Sequence, residues 1–333
     1  MSTEPPNPQG TQAQAPFDDP RADLILQSSD QVHFRVFKIV LSLASPIFAD
    51  MFSIPSPPSP NPRHGDNIRV VPLTEDSEAL NLSLRHIYPV QTPDVVPLRH
   101  ASILAEFARK YQVDALGRFI TRSLTENVEH DPVGVYVIAV TYGYRGIGAK
   151  AARSCLTLPF SCLHSPHLQG ATAVLFGELL RYHVACGEAA SNVASERAWF
   201  SSLNQRNKFI STRKGYCQSC STQDFISGVP NRPSIPTTSN GIIFPLDDDG
   251  SQVKRYGPLC LWNYLHRSAL ILARHPSAKA ISAEDFVMKG CDCPSCPSDT
   301  RLHILEFRLV FVREIEKAVE RVSVLLYPLL HVY

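Results

Sequence analysis

Cys217-Gln218-Ser219-Cys220 and Cys293-Pro294-Ser295-Cys296 form two C-x-x-C elements in polar, turn-like segments. Thiolates at this spacing reach one ion from a tight turn, and two such knuckles complete a tetrahedral four-cysteine site with no open position. The chemistry expected of Cys217, Cys220, Cys293 and Cys296 is therefore a structural zinc site. It would stitch the segment after the middle helices to the one before the last helix. The long stretch between Cys220 and Cys293 departs from compact fingers, and Cys291 offers an alternative ligand. Free reduced thiols thus stand beside zinc as the other reading, with a redox or catalytic cysteine a minor third. Cys155, Cys162, Cys186 and Cys260 lie in apolar, helix-like surroundings and read as small core residues.

The remaining chemical candidates are bland. Gly143, Gly146 and Gly148 are ordered G-x-x-G-x-G after a helical pattern, which predicts a flexible turn and not a phosphate cradle. His164 and His167 flank Pro166 in a loop and are expected to be solvated. Asp247-Asp248-Asp249-Gly250 lacks the spaced oxygens and distal Glu of a calcium loop, which leaves a turn. The sequence contains no G-x-S-x-G, G-x-x-x-x-G-K-[ST] or H-E-x-x-H, so the expectation is a protein without enzymatic activity.

These residues sit in a chain of 333 residues, 44% of them hydrophobic, which is enough to bury two or three cores. Lys and Arg (32) nearly balance Asp and Glu (31), with no long run of like charge. A polyanion partner demands a basic face, so nucleic-acid binding is not expected. No apolar run is long enough to span a bilayer, and the N-terminus has neither a basic start nor an apolar centre. The expected setting is intracellular, cytoplasmic or nuclear, without membrane insertion, where cysteines are thiols or metal ligands.

The elements that must position these groups follow from periodicity. Residues 1–18, rich in Pro, Gln, Ser and Asn, read as a flexible leader. Asp23-Leu24-Ile25-Leu26 and His33-Phe34-Arg35-Val36-Phe37, joined by polar Gln27 to Asp30, predict a β-hairpin. From Lys38 the period becomes helical, with Ile39, Leu43, Ile47 and Met51 in one row and Val40, Ala44, Phe48 and Phe52 beside it. Pro46 should break that helix. Pro55 to Asp66 is a loop and Ile68 to Leu73 a strand. Thr74 to Ser77 should cap a helix running to about Tyr88, with further helices over Val95–Tyr111 and Val113–Thr125. Asp131 to Phe200 reads as helical, Ser227 to Gly241 as a separator, and Leu259–Arg274 and Leu302–Leu326 as C-terminal helices. Leu302, Leu305, Leu309, Val312, Ile315, Val319, Val322 and Leu326 form a stripe on the last of these, read as core docking with a coiled-coil partner surface as the alternative. No internal repeat is present.

The stretch DLILQSSDQVHFRVFKIVLSLASPIFADMF resembles the opening of the BTB/POZ domain: an Asp before an apolar strand, a strand ending in an aromatic-x-x-x-Lys, then I-x-L-S-x-x-S-P-x-F-x-x-M-F. VVPL, EALNLSLRHIYPV and ILAEFARKYQVDAL look like the family's third strand, its next helix ending in Ile-Tyr, and its A-x-K-Y helix. The resemblance implies an α+β fold, a small sheet flanked by helices, over residues 19–122. It also implies a BACK-like helical region at 123–200, and the whole looks like the fungal BTB proteins; the helical spacing read above leaves 201–333 as a mostly helical C-terminal region with candidate zinc knuckles. Asp23 and Lys38 match the positions that form a buried charge pair at the family's homodimer interface, although Phe37 stands where the family usually has His; the other reading is that Asp23 caps a turn and Lys38 is solvated. The partners implied are polypeptides: a second copy of the chain, and a cullin scaffold of a ubiquitin ligase for which the chain would be a substrate adaptor. The alternatives are a transcriptional co-regulator and, more remotely, a metalloenzyme.

Overall fold

A computed structural model describes residues 11–54, 68–90, 97–169, 171–196, 242–243, 254–255, 259–289 and 300–326. Two compact units divide them, one comprising Met1–Ala151 with Ser165–Gln169 and the other Ala152–His164 with Gly170–Tyr333.

The first unit is built on a four-stranded sheet of β1 (Thr11–Gln12), β2 (Leu24–Gln27), β3 (Val32–Val36) and β4 (Arg69–Pro72), in the order β1-β3-β2-β4. β2 and β3 are the expected antiparallel hairpin, with Leu24 opposite Val36 and Leu26 opposite Phe34. β4 joins β2 in parallel and β1 joins β3 in parallel. Alternation puts Leu24, Leu26, Phe34 and Val36 on the buried face. The two-residue period is thus what commits one side of the hairpin to the core.

Helices cover that face. Pro46 does not merely break a helix but starts the next: α1 is Lys38–Ala44 and α2 is Pro46–Ser53, with proline at a first-turn position whose N–H has no partner in any case. Ser45 caps α2 by accepting from the Phe48 N–H (3.1 Å) and donates its own proton to the Tyr111 carbonyl. Because of this break the row Ile39–Leu43–Ile47–Met51 does not run along one helix. Leu41 and Phe48 are the buried residues of the pair, and Ile39 and Leu43 face outward. α3 (Ser77–Ile87) is capped by Asp76, and the hairpin's Asp30 accepts from both the N–H and the hydroxyl of Ser77 at 2.9 and 2.6 Å. α4 (Leu98–Tyr111) ends in a left-handed Gln112. A short 3-10 turn, Asp114–Leu116, then leads into α5 (Gly117–Asn127). Phe48 stacks on Tyr111 with centroids 4.6 Å apart, which locks α2 to α4.

α6 (Pro132–Thr141) is buried over most of its length and is capped by Asp131, whose other carboxylate oxygen receives the Ser165 hydroxyl. The glycine series after it resolves differently from a single flexible turn. Gly143, at φ +84°, makes the turn, whereas Gly146 and Gly148 lie inside α7 (Arg145–Cys155). A Cβ at 148 would stand 2.9 Å from Val140 Cγ2, so glycine there permits close packing and not chain freedom.

The second unit centres on α8 (Ala173–Glu196), against which α9 (Leu259–Leu272) and α11 (Thr300–Leu326) pack. The five-residue α10 (Glu284–Met288) and the two-residue pair β5 (Ile242–Ile243) and β6 (Lys254–Arg255) complete the described elements. Leu261, Tyr264, Leu265, Leu272, Ile281, Phe307, Phe311 and Ile315 form its core. On α11 the buried centre is Ile304–Phe307–Phe311–Ile315, with Leu305, Val312 and Val319 on its flank and Leu302 and Leu309 exposed. Apolar residues occur on both sides of this helix, so spacing alone could not fix which phase faces inward. Gly187 marks a close approach of α8 to the end of α9: a Cβ there would lie 2.6 Å from the Ala273 carbonyl oxygen. Among the described residues, no helix is long and apolar enough to cross a membrane.

Candidate functional site

The residues singled out for an interface converge on the start of α1. Phe37 and Lys38 open this helix, and no side chain at the cap position itself satisfies their N–H groups. Distant residues do so instead. Asp23, one residue before β2, accepts the Lys38 N–H at 2.8 Å, and the Tyr88 hydroxyl, just past α3, accepts the Phe37 N–H at 2.8 Å. What joins Asp23 to Lys38 within one chain is thus a carboxylate on a peptide N–H. Asp23 is exposed and Lys38 half-buried. Burial, and after it the charge of Asp23, pushes the Tyr88 hydroxyl up to about 12, against the opposing effect of the Phe37 N–H. The phenol therefore stays protonated and keeps its accepting geometry throughout the neutral range.

One turn along, α1 presents an apolar surface. Ile39 is 64% and Leu43 82% exposed, four residues apart and hence neighbours on one face. Leu41 between them is fully buried, so the helix is anchored by one side and offers the other.

A second constellation explains the Lys-Tyr pair of α4. Glu75 receives Lys110 Nζ at 2.5 Å on one oxygen and Tyr111 Oη at 2.7 Å on the other, and its carbonyl accepts the Ser29 N–H at 2.8 Å. One residue thereby ties the hairpin turn, through its carbonyl, and the end of α4, through its carboxylate, to the start of α3. Sequence reasoning read Thr74 to Ser77 only as a capping turn. The signal it passed over was an acidic residue in that turn with a Lys-Tyr pair at the end of α4, the second helix after it.

Cys217, Cys220, Cys291, Cys293 and Cys296 lie outside the described residues. Among those that are described, no group of three or more His, Cys, Asp or Glu could hold a metal ion. Cys155, Cys186 and Cys260 are buried, as expected, and burial pushes the Cys186 thiol up to about 11. Cys162 is a correction to the core reading: it is exposed, because it ends a 3-10 turn, Phe160–Cys162, that has no buried residue. His164 is exposed, whereas His167 is half-buried in the turn Pro166–Leu168, its N–H held by Ser165.

Compared with known families, residues 17–128 match the model of the BTB/POZ domain, from Phe17, whose ring meets Tyr88 edge-on, to the end of α5. This segment is a BTB/POZ domain. The small mixed sheet flanked by helices, followed by a mostly helical region, agrees with the fold read from the motifs. No curated protein matches the chain. BTB domains are protein-interaction modules, and the first unit presents the fold through which they bind other polypeptides.

Proposed function

We propose that the chain is a non-enzymatic interaction scaffold whose BTB domain forms a homodimer through α1 and, in its most concrete form, links a cullin scaffold to a substrate held by the second unit. The observation that carries the dimer is the exposed pair Ile39 and Leu43, next to Asp23 and Lys38, the positions the family uses at its interface. Burying one such aliphatic side chain is worth about 1.5–3 kcal/mol. Two of them from each of two copies supply a hydrophobic centre, and the Asp23–Lys38 charges at its edge favour one arrangement over others.

The test is the mass of the full-length protein by light scattering, beside Ile39→Asp and Leu43→Asp. A dimer in the wild type and a folded monomer in the variants is the expected result. A monomeric wild type, or variants that remain dimeric, would remove α1 from this role. Direct binding of the purified chain to a cullin amino-terminal domain is expected on the adaptor reading; no binding would leave the scaffold and turn the choice to transcriptional co-regulation.

A further inference from the structure

In the second unit, residues 156–164 run as a loop after α7 and are held by two imidazoles on consecutive carbonyls. His183, from α8, bonds through Nε2 to the Leu158 carbonyl at 3.0 Å, and His275, from the turn after α9, through Nε2 to the Thr157 carbonyl at 2.6 Å. A carbonyl can only accept, so both rings carry their proton on Nε2. The loop closes over them: the Phe160 N–H donates to the Arg274 carbonyl at 2.9 Å, and the Phe160 ring stands edge-on to His183 at 5.8 Å. His183 is 1% exposed.

The groups around His183 leave little to stabilise a positive charge. From the loop it meets the Leu158 carbonyl and the Phe160 ring, and the same loop ends in the exposed His164. From the turn after α9 it meets His275, while Arg274 supplies its carbonyl. On its own helix Tyr182 and Cys186 are neighbours, and both are held protonated by burial. From α7, Cys155 and Arg153 act on Tyr182, and from α11 the apolar Val319 and Val322 pack against the neighbouring cluster of Leu156, Tyr182 and Cys186.

We propose that the two histidines form an acid-released latch, which holds the 156–164 loop against α8 while the His183 ring is neutral and frees it when His183 takes up a proton. Protonation would place a cation in a dry pocket beside a second imidazole, and the charge regains water only if the loop lifts. Burial, and the proximity of His275 with it, lower the affinity of His183 for a proton, although the Leu158 carbonyl works the other way. The sign follows: docking is fully stable above the unfolded histidine value of about 6.5 and is lost as pH falls below it. Release uncovers the edge of Phe160 and frees the segment carrying Cys162.

The experiment is hydrogen–deuterium exchange of the full chain between neutral and mildly acidic pH, with rates corrected for intrinsic exchange. Peptides covering 156–164 should lose protection by about tenfold for each pH unit over which the latch titrates, while those of α9 stay protected. His183→Asn retains a donor for the Leu158 carbonyl without the titration and should flatten the profile. If that variant fails to fold, the wild-type loop profile should still track the His183 ring resonances in an NMR titration. Loop protection independent of pH, or a pH profile unchanged in a folded His183→Asn, would overturn the latch.

Discussion

Asp23 Oδ1 accepts the peptide N–H of Lys38 at 2.8 Å, so a residue preceding the first hairpin strand caps a helix that follows the second. A side-chain cap is worth about 1 kcal/mol. Asp23→Ala should lower the urea midpoint of the full chain by an amount of that order, and Asp23→Asn, which keeps the accepting oxygen, should fall much closer to wild type. Equal losses in the two variants would assign the effect to charge and not to the cap.

Two glycines of α8 predict opposite signs for the same substitution. At Gly177 nothing lies within 4 Å of an added Cβ, so Gly177→Ala should stabilise by roughly 0.5–1 kcal/mol through helix propensity alone. At Gly187 the same methyl meets the Ala273 carbonyl at 2.6 Å, and forcing α8 from α9 should outweigh that gain by about 1–3 kcal/mol. Thermal denaturation of the two variants beside wild type decides it. A stabilised Gly187→Ala would mean that the helices are less closely packed than described.

How much of this was legible in the residues varies with the kind of interaction. The hairpin, the break at Pro46 and the helices of the first unit follow from local period and turn chemistry, and the separated motifs sufficed to place the BTB fold. The Tyr88 bond to Phe37 and the Glu75 hub leave no periodic trace, because each joins positions tens of residues apart through a few polar atoms; for the hub, the acidic residue in the capping turn and the Lys-Tyr pair were the only signal. The outward face of α1 was hidden for another reason. Ile39 and Leu43 look like core residues until the helix is known to end at Ala44, after which Leu41 takes the inward position.

Alkaline stability should depend on the half-buried phenols Tyr88 and Tyr142. Tyr88 and Tyr142 are each pushed up to about 12, first by burial; after that the Asp23 charge acts on Tyr88, and the hydrogen bond to Glu106 on Tyr142. Unfolded tyrosine ionises near 10, so their stabilising effect is complete below about pH 10 and is lost as pH rises toward 12. Phenolate absorbance should show a class of tyrosines that ionise late. Tyr88→Phe should soften the loss of stability above about pH 10, while costing about 1 kcal/mol at neutral pH through the Phe37 N–H. A variant with the same alkaline profile as wild type would contradict the assignment.

The zinc staple proposed for Cys217, Cys220, Cys293 and Cys296 makes a separate demand. The purified chain should carry about one zinc per molecule and lose it in a Cys217→Ser, Cys220→Ser double variant, and a chelator should lower the melting temperature of the wild type alone. Metal-free protein of unchanged stability would leave these cysteines as reduced thiols.

The borrowed caps of α1 also tie the helix to the rest of the domain. This seven-residue helix is too short to persist alone, and its first two N–H groups find partners only once the strand beside Asp23 is in place and the end of α3 has come round. The helix that displays Ile39 and Leu43 therefore owes its first bonds to the closed BTB unit and not to its own residues.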